Sequence, residues 1–104
     1  MRVLVLEDNL MWSARLNNSL TKLGHQITPD DPEVAIVNLG ADEIREQVPA
    51  LRARGIITLG HAGHKEKDLH ELGKEVGCDI LATNGELTYK IEALLQRAKS
   101  MIDA

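Results

Sequence analysis

Arg2-Val-Leu-Val-Leu6, closed by Glu7-Asp8-Asn9 and followed by a helical pattern, is the stretch that decides the fold class. A short apolar run of mostly branched residues reads as a strand buried on both faces, the kind found inside parallel sheets. Beyond it Trp12, Leu16, Leu20 and Leu23 make one apolar helical stripe, which Gly24 stops in the usual C-terminal position. The alternation then recurs. Val34-Ala-Ile-Val37 is a second fully buried strand, ending at Asn38-Leu39-Gly40. Ile44, Val48 and Leu51 predict a helix through about Arg54, with Pro49 expected to kink it or divide it into two short pieces. Ile56–Leu59 is a strand followed by a loop from Gly60 to His64. Leu69, Leu72 and Val76 form a helical stripe that stops at Gly77, and Asp79–Ala82 is the last strand. Leu87, Ile91, Leu94, Leu95, Ala98 and Ile102 give the clearest helical stripe in the chain.

Strands alternating with helices imply an α/β fold, a parallel sheet covered on both faces and joined by right-handed crossovers. One segment departs from that order. His25–Thr28 reads as a short extra strand, and only Pro29–Glu33 separates it from Val34. A parallel crossover needs about a dozen residues. Either a helix has been lost there, or this strand runs antiparallel or stands outside the sheet.

Composition narrows the classes further. A chain of 104 residues with 43 % apolar content supports one domain, 1–104, with a real hydrophobic core. No apolar run approaches the length of about 20 residues that a membrane span needs, and the N-terminus lacks a signal peptide's pattern. The single Cys78 cannot form an internal disulfide, which fits a cytoplasmic protein. A net charge of −4 and only two aromatics, Trp12 and Tyr89, argue against a nucleic-acid surface.

In a doubly wound sheet, ligands bind beyond the carboxyl ends of the strands. Those ends carry Glu7, Asp8 and Asn9, then Asn38, then Gly60 and His61, then Thr83, Asn84 and Gly85. Two adjacent carboxylates suit a hard cation such as Mg²⁺. The competing reading is that Asp8 or Asn9 caps the following helix. His61, His64 and His70, with Glu66 and Asp68, invite a metal site or a pH-sensitive loop, though a solvated loop fits such unspecific spacing better. No glycine-rich phosphate motif is present, Cys78 has no base beside it, and no nucleophile–base pair suggests an enzyme.

Val3-Leu-Val-Leu-Glu-Asp-Asn9 resembles the opening of receiver domains of two-component response regulators. The resemblance continues through Leu23–His25, Val34–Gly40, Ile56–Leu59 and Gly77–Thr83, and so covers essentially the whole chain. It implies a flavodoxin-like, three-layer sandwich with a mostly parallel five-stranded sheet, its second helix shortened or missing. In that family an acidic pair binds Mg²⁺, and an Asp ending the third strand accepts a phosphoryl group. A Ser or Thr after the fourth strand and a Lys after the fifth contact its oxygens. By this resemblance Glu7 and Asp8 match the acidic pair, Asn38 the phosphoacceptor, Gly60 the Ser/Thr position and Asn84 the Lys. Gly85 replaces the usual Pro, and the aromatic that moves with the switch falls near Leu81.

The departures act on one mechanism. A neutral amide oxygen is a far poorer nucleophile than a carboxylate, and its loss also removes an anionic Mg²⁺ ligand. Without the Lys, nothing cationic balances charge on a transferring phosphoryl group. The expectation is a pseudo-receiver that signals by phosphorylation-independent contact with a protein partner. No cofactor is expected beyond weak Mg²⁺ binding at Glu7 and Asp8. Homodimerisation would use the family's fourth helix, fifth strand and fifth helix, since a two-fold interface needs one self-complementary patch. The missing helix would also uncover part of the domain, unless the loop and an altered third helix close the gap. The alternative is a small-ligand or cation sensor built on the residual acidic pocket.

Overall fold

The computed structural model describes all 104 residues. Its elements, in chain order, are β1 (Arg2–Leu6), α1 (Leu10–Lys22), β2 (Gln26–Ile27), β3 (Val34–Asn38), α2 (Ile44–Ala53), β4 (Ile57–Ala62), α3 (Lys67–Val76), β5 (Ile80–Thr83), α4 (Asn84–Tyr89) and α5 (Ile91–Asp103). The five strands form one sheet in the order β2-β1-β3-β4-β5, and every pairing is parallel. Strand period two sends alternate side chains to opposite faces. Val3, Val34, Ile36, Leu59, Ile80 and Ala82 pack on one face with Leu16 and Leu20 of α1 and Leu94 and Leu95 of α5. Ala35, Val37 and Ala62 pack on the other with Ile44, Val48 and Leu51 of α2, and with Leu69, Leu72 and Val76 of α3. The expected three layers are present.

The short link between β2 and β3 has a geometric explanation. Ile27 and Val34 both pair with Val3, from opposite sides of β1. The chain therefore leaves β2 and enters β3 at the same height in the sheet. It has only to cross β1, about 10 Å at two strand spacings, with no return along a strand. β2 is thus parallel and in the sheet, which excludes the antiparallel and detached alternatives. No helix lies between it and β3. Arg2 fixes the link: its Nε donates to the Asp31 carbonyl at 2.7 Å, and its backbone N–H donates to the Glu33 carboxylate at 3.0 Å.

Three other expectations need correction. Pro49 neither kinks α2 into two elements nor ends it. Its absent N–H would have served the Arg45 carbonyl, and both residues are exposed, so water replaces the lost partner. The last stripe is two helices, because Lys90 at φ −129° interrupts it between α4 and α5. Most important for the site, β4 does not stop at Leu59 but runs on through Gly60 and His61 to Ala62.

Candidate functional site

The strand alternation decides what faces the carboxyl rim. Val3 and Val5 on β1, Val34 and Ile36 on β3, Leu59 on β4, and Ile80 and Ala82 on β5 all pack toward the α1–α5 layer. Two residues further along each strand direction stand Glu7, Asn38, His61 and Asn84, on the same parity. The register supports this, with Asn38 directly beside His61 and His61 beside Ala82.

These four side chains form one polar chain. Asn38 donates from Nδ2 to Glu7 Oε2 at 3.1 Å and to Oε1 at 3.3 Å. Its own Oδ1 accepts the Gly40 N–H at 2.8 Å. Glu7 Oε2 also accepts the Asn9 N–H at 3.3 Å. His61 Nε2 lies 3.3 Å from Glu7 Oε1, and both side chains are only 2 % exposed. That contact has ion-pair distance without the direction of a hydrogen bond, since Nε2 has no well-aligned partner. On the other side of the ring, Nδ1 sits 2.7 Å from Asn84 Oδ1. The Trp12 ring covers the imidazole, with centroids 5.9 Å apart and planes at 43°. The Arg15 guanidinium in turn stacks 5.5 Å over Trp12.

Above this chain opens a pocket of about 480 Å³, bordered by Glu7, Asp8, Asn9, Asn38, Gly40 and Gln47. Asp8 is exposed at its edge. Asn9 is the residue that caps α1, its Oδ1 accepting the Trp12 N–H at 3.1 Å, so the capping role does not fall to Asp8. Asn84 starts α4 behind Thr83, whose hydroxyl and the Glu86 carboxylate complete a capping box. The amide of Asn84 is thereby anchored on a helix end and aimed at His61.

Of the residues expected at the rim, Glu7, Asn38 and Asn84 come together there and Asp8 borders the opening. Gly60 does not. A Cβ on Gly60 would lie 2.8 Å from Leu39 Cδ2 and 2.9 Å from Cys78 Sγ, on the opposite face of the sheet. A hydroxyl at position 60 would have neither room nor a path to the pocket. His61 is the β4 residue that faces the site, and the parity count from Leu59 is the signal that finds it. The three histidines do not gather around an ion. His61 is buried, His64 is exposed, and His70 Nε2 contacts the Gly63 carbonyl at 3.1 Å. No group of three His, Cys, Asp or Glu side chains is placed to hold a metal ion.

No family model and no curated protein matches the chain. Solved structures do match along nearly its whole length. One is a fusion protein bearing a segment of the yeast Spc42 trimeric coiled coil: TM-score 0.83, 12 % identity, 98 % of this chain and 78 % of that one. A second is a CheY-like protein, TadZ, from Pseudomonas aeruginosa PAO1, with TM-score 0.73, 15 % identity, and 94 % and 98 % of the two chains covered. A third is the receiver domain of the TMAO respiratory system response regulator TorR, at TM-score 0.74 and 19 % identity, covering 93 % and 98 %. The backbone has the fold of CheY-like response-regulator receiver domains.

Proposed function

We propose that this receiver-fold chain works in signal transduction as a pseudo-receiver, through phosphorylation-independent contact with a protein partner. The observation that carries this reading is Asn38. It stands at the end of β3 as a neutral amide, with its nitrogen committed to Glu7 and its oxygen to the Gly40 N–H. No carboxylate nucleophile is offered to phosphorus at that position, and a neutral amide oxygen is a far poorer one. Asn84 supplies no positive charge, and its oxygen is taken by His61. A receiver fold without an acceptor still presents its surfaces to partners. The surface we favour is α3, β5 and the α4–α5 segment, the counterparts of the family's fourth helix, fifth strand and fifth helix, with a second copy of this chain among the candidate partners. No helix is long and apolar enough to cross a membrane.

Intact mass after incubation with Mg²⁺ and acetyl phosphate tests the reading, with sedimentation at high concentration as its companion. An unchanged mass together with self-association or capture of a protein partner is the expected result. A gain of one phosphoryl group overturns it.

One observation favours a second reading, a small-ligand or cation sensor. The pocket beside Asp8 and Asn38 also contains Gln47, whose Oε1 is buried without a partner. Isothermal titration with Mg²⁺, Ca²⁺ and Mn²⁺ addresses the cation form; no heat at millimolar concentration removes it.

A further inference from the structure

We propose that the His61 side chain is the built-in occupant of the acidic pocket, taking the Glu7 carboxylate that a divalent cation would need. The inference deepens the phosphorylation-independent reading above and rests on it. The Mg²⁺ that the receiver resemblance implies can be tested against the donor set. Magnesium demands near-octahedral oxygen ligation and usually draws on one or two carboxylates. Here Glu7 Oε1 faces Asn38 Nδ2 and His61 Nε2, and Oε2 faces Asn38 Nδ2 and the Asn9 N–H. Asn38 Oδ1 is turned to Gly40. That leaves Asp8, alone and exposed, as the one carboxylate open to the pocket. The residues present do not fit the ion.

They fit the imidazole instead. Its Nδ1 lies 2.7 Å from Asn84 Oδ1 and its Nε2 lies 3.3 Å from Glu7 Oε1, with the His61 and Glu7 side chains each 2 % exposed. The ring fills the place against Glu7 that a cation would take. The same ring joins the ends of β1 and β4 to the start of α4, and Asn38 extends the chain to β3. These element ends are tied by side chains alone.

The test uses the full chain, isotopically labelled at neutral pH, with Mg²⁺ as the probe. The Asn38 side-chain amide signals of the wild type are expected to stay in place at millimolar Mg²⁺. In His61→Gln, which is neutral and of similar reach, they are expected to move in a saturable way as Glu7 is released. Saturable movement in the wild type overturns the proposal, and so does its absence in a folded His61→Gln. Where that variant does not fold, the wild-type titration decides: unmoved Asn38 signals support the proposal and saturable movement overturns it. A phosphoryl gain on Asn38 or elsewhere would sink the function proposed above without touching the Mg²⁺ result, so the two failures are distinguishable.

Discussion

Glu7 and His61 are the pair on which the rim depends, and burial sets the cost of breaking it. A buried polar group that loses its partner costs more than a pair removed together. His61→Ala and Glu7→Ala are each expected to lower stability by about 1–3 kcal/mol in urea unfolding, because each leaves buried polar neighbours unsatisfied. Glu7→Gln with His61→Gln in one chain should cost clearly less than the sum of the two single changes, because the two side chains are in contact and their effects couple. Cys78 is a half-buried thiol whose titration the fold moves. Burial first, then the neighbouring Asp79, pushes its thiol up to about 11 from 9.0. The folded state therefore holds this proton more tightly than the unfolded one. Stability from this source is complete below pH 9 and is lost as pH rises toward 11. Alkylation of Cys78 at neutral pH should be slow in the native protein and fast in denaturant, and equal rates would contradict this account.

The elements carry their own signatures. α3 ends where Gly77 takes φ +93°, a left-handed conformation that glycine adopts without a Cβ penalty. In α2, Pro49 leaves one carbonyl to water, and the helix persists because Ile44, Val48 and Leu51 are buried beneath it. Packing overrides propensity here. Pro49→Ala is accordingly expected to raise stability by about 1–3 kcal/mol in urea unfolding, the restored bond being partly offset by a freer unfolded chain. The α4 capping box has the reverse sensitivity. Thr83→Ala removes the acceptor for the Glu86 N–H, at 3.1 Å, and should cost about 1 kcal/mol. Because α4 also positions Asn84, the His61 ring signals should move in the same variant. An unmoved ring would detach the cap from the site.

At the scale of the whole molecule, three groups, two flanking β2 and one in α4, make stability fall with acid. The Arg2 backbone N–H holds Glu33 below its ordinary 4.5, and the Thr83 backbone N–H does the same for Glu86. His25 is held below 6.5 by burial first and by the N-terminal ammonium, whose nitrogen is 3.0 Å from Nδ1. In each case the unfolded chain takes up the proton more readily than the folded one. Stability is therefore highest above pH 6.5, declines as His25 protonates in the unfolded state, and declines again below pH 4.5 as the carboxylates do. Urea midpoints measured from pH 7.5 down to about pH 4 should drop in two stages, and a flat profile would refute the assignment. Two of these groups, His25 and Glu33, sit at the abbreviated β2 edge, so the acid response reports on the part of the sheet that lacks its helix.

The alternation of apolar runs with apolar stripes was enough, by itself, to determine a parallel α/β sheet and most of its core, because burial follows local periodicity, while the place of the short second strand stayed open. The same pattern brought Glu7, Asn38 and Asn84 to the carboxyl rim, because strand ends in such a sheet converge. The tertiary structure alone decided the rest. Gly60 looked like a loop residue, yet β3 and β5 pair with it on both sides and carry the strand through to Ala62. That extension moved position 60 to the far face and brought His61 under Trp12. The path from β2 to β3 likewise depended on two strands meeting Val3 at one height, a register no local run encodes. Whether Glu7 opens to solvent or closes on a histidine is a contact across 54 residues of sequence, and only the folded sheet brings the two within 3.3 Å.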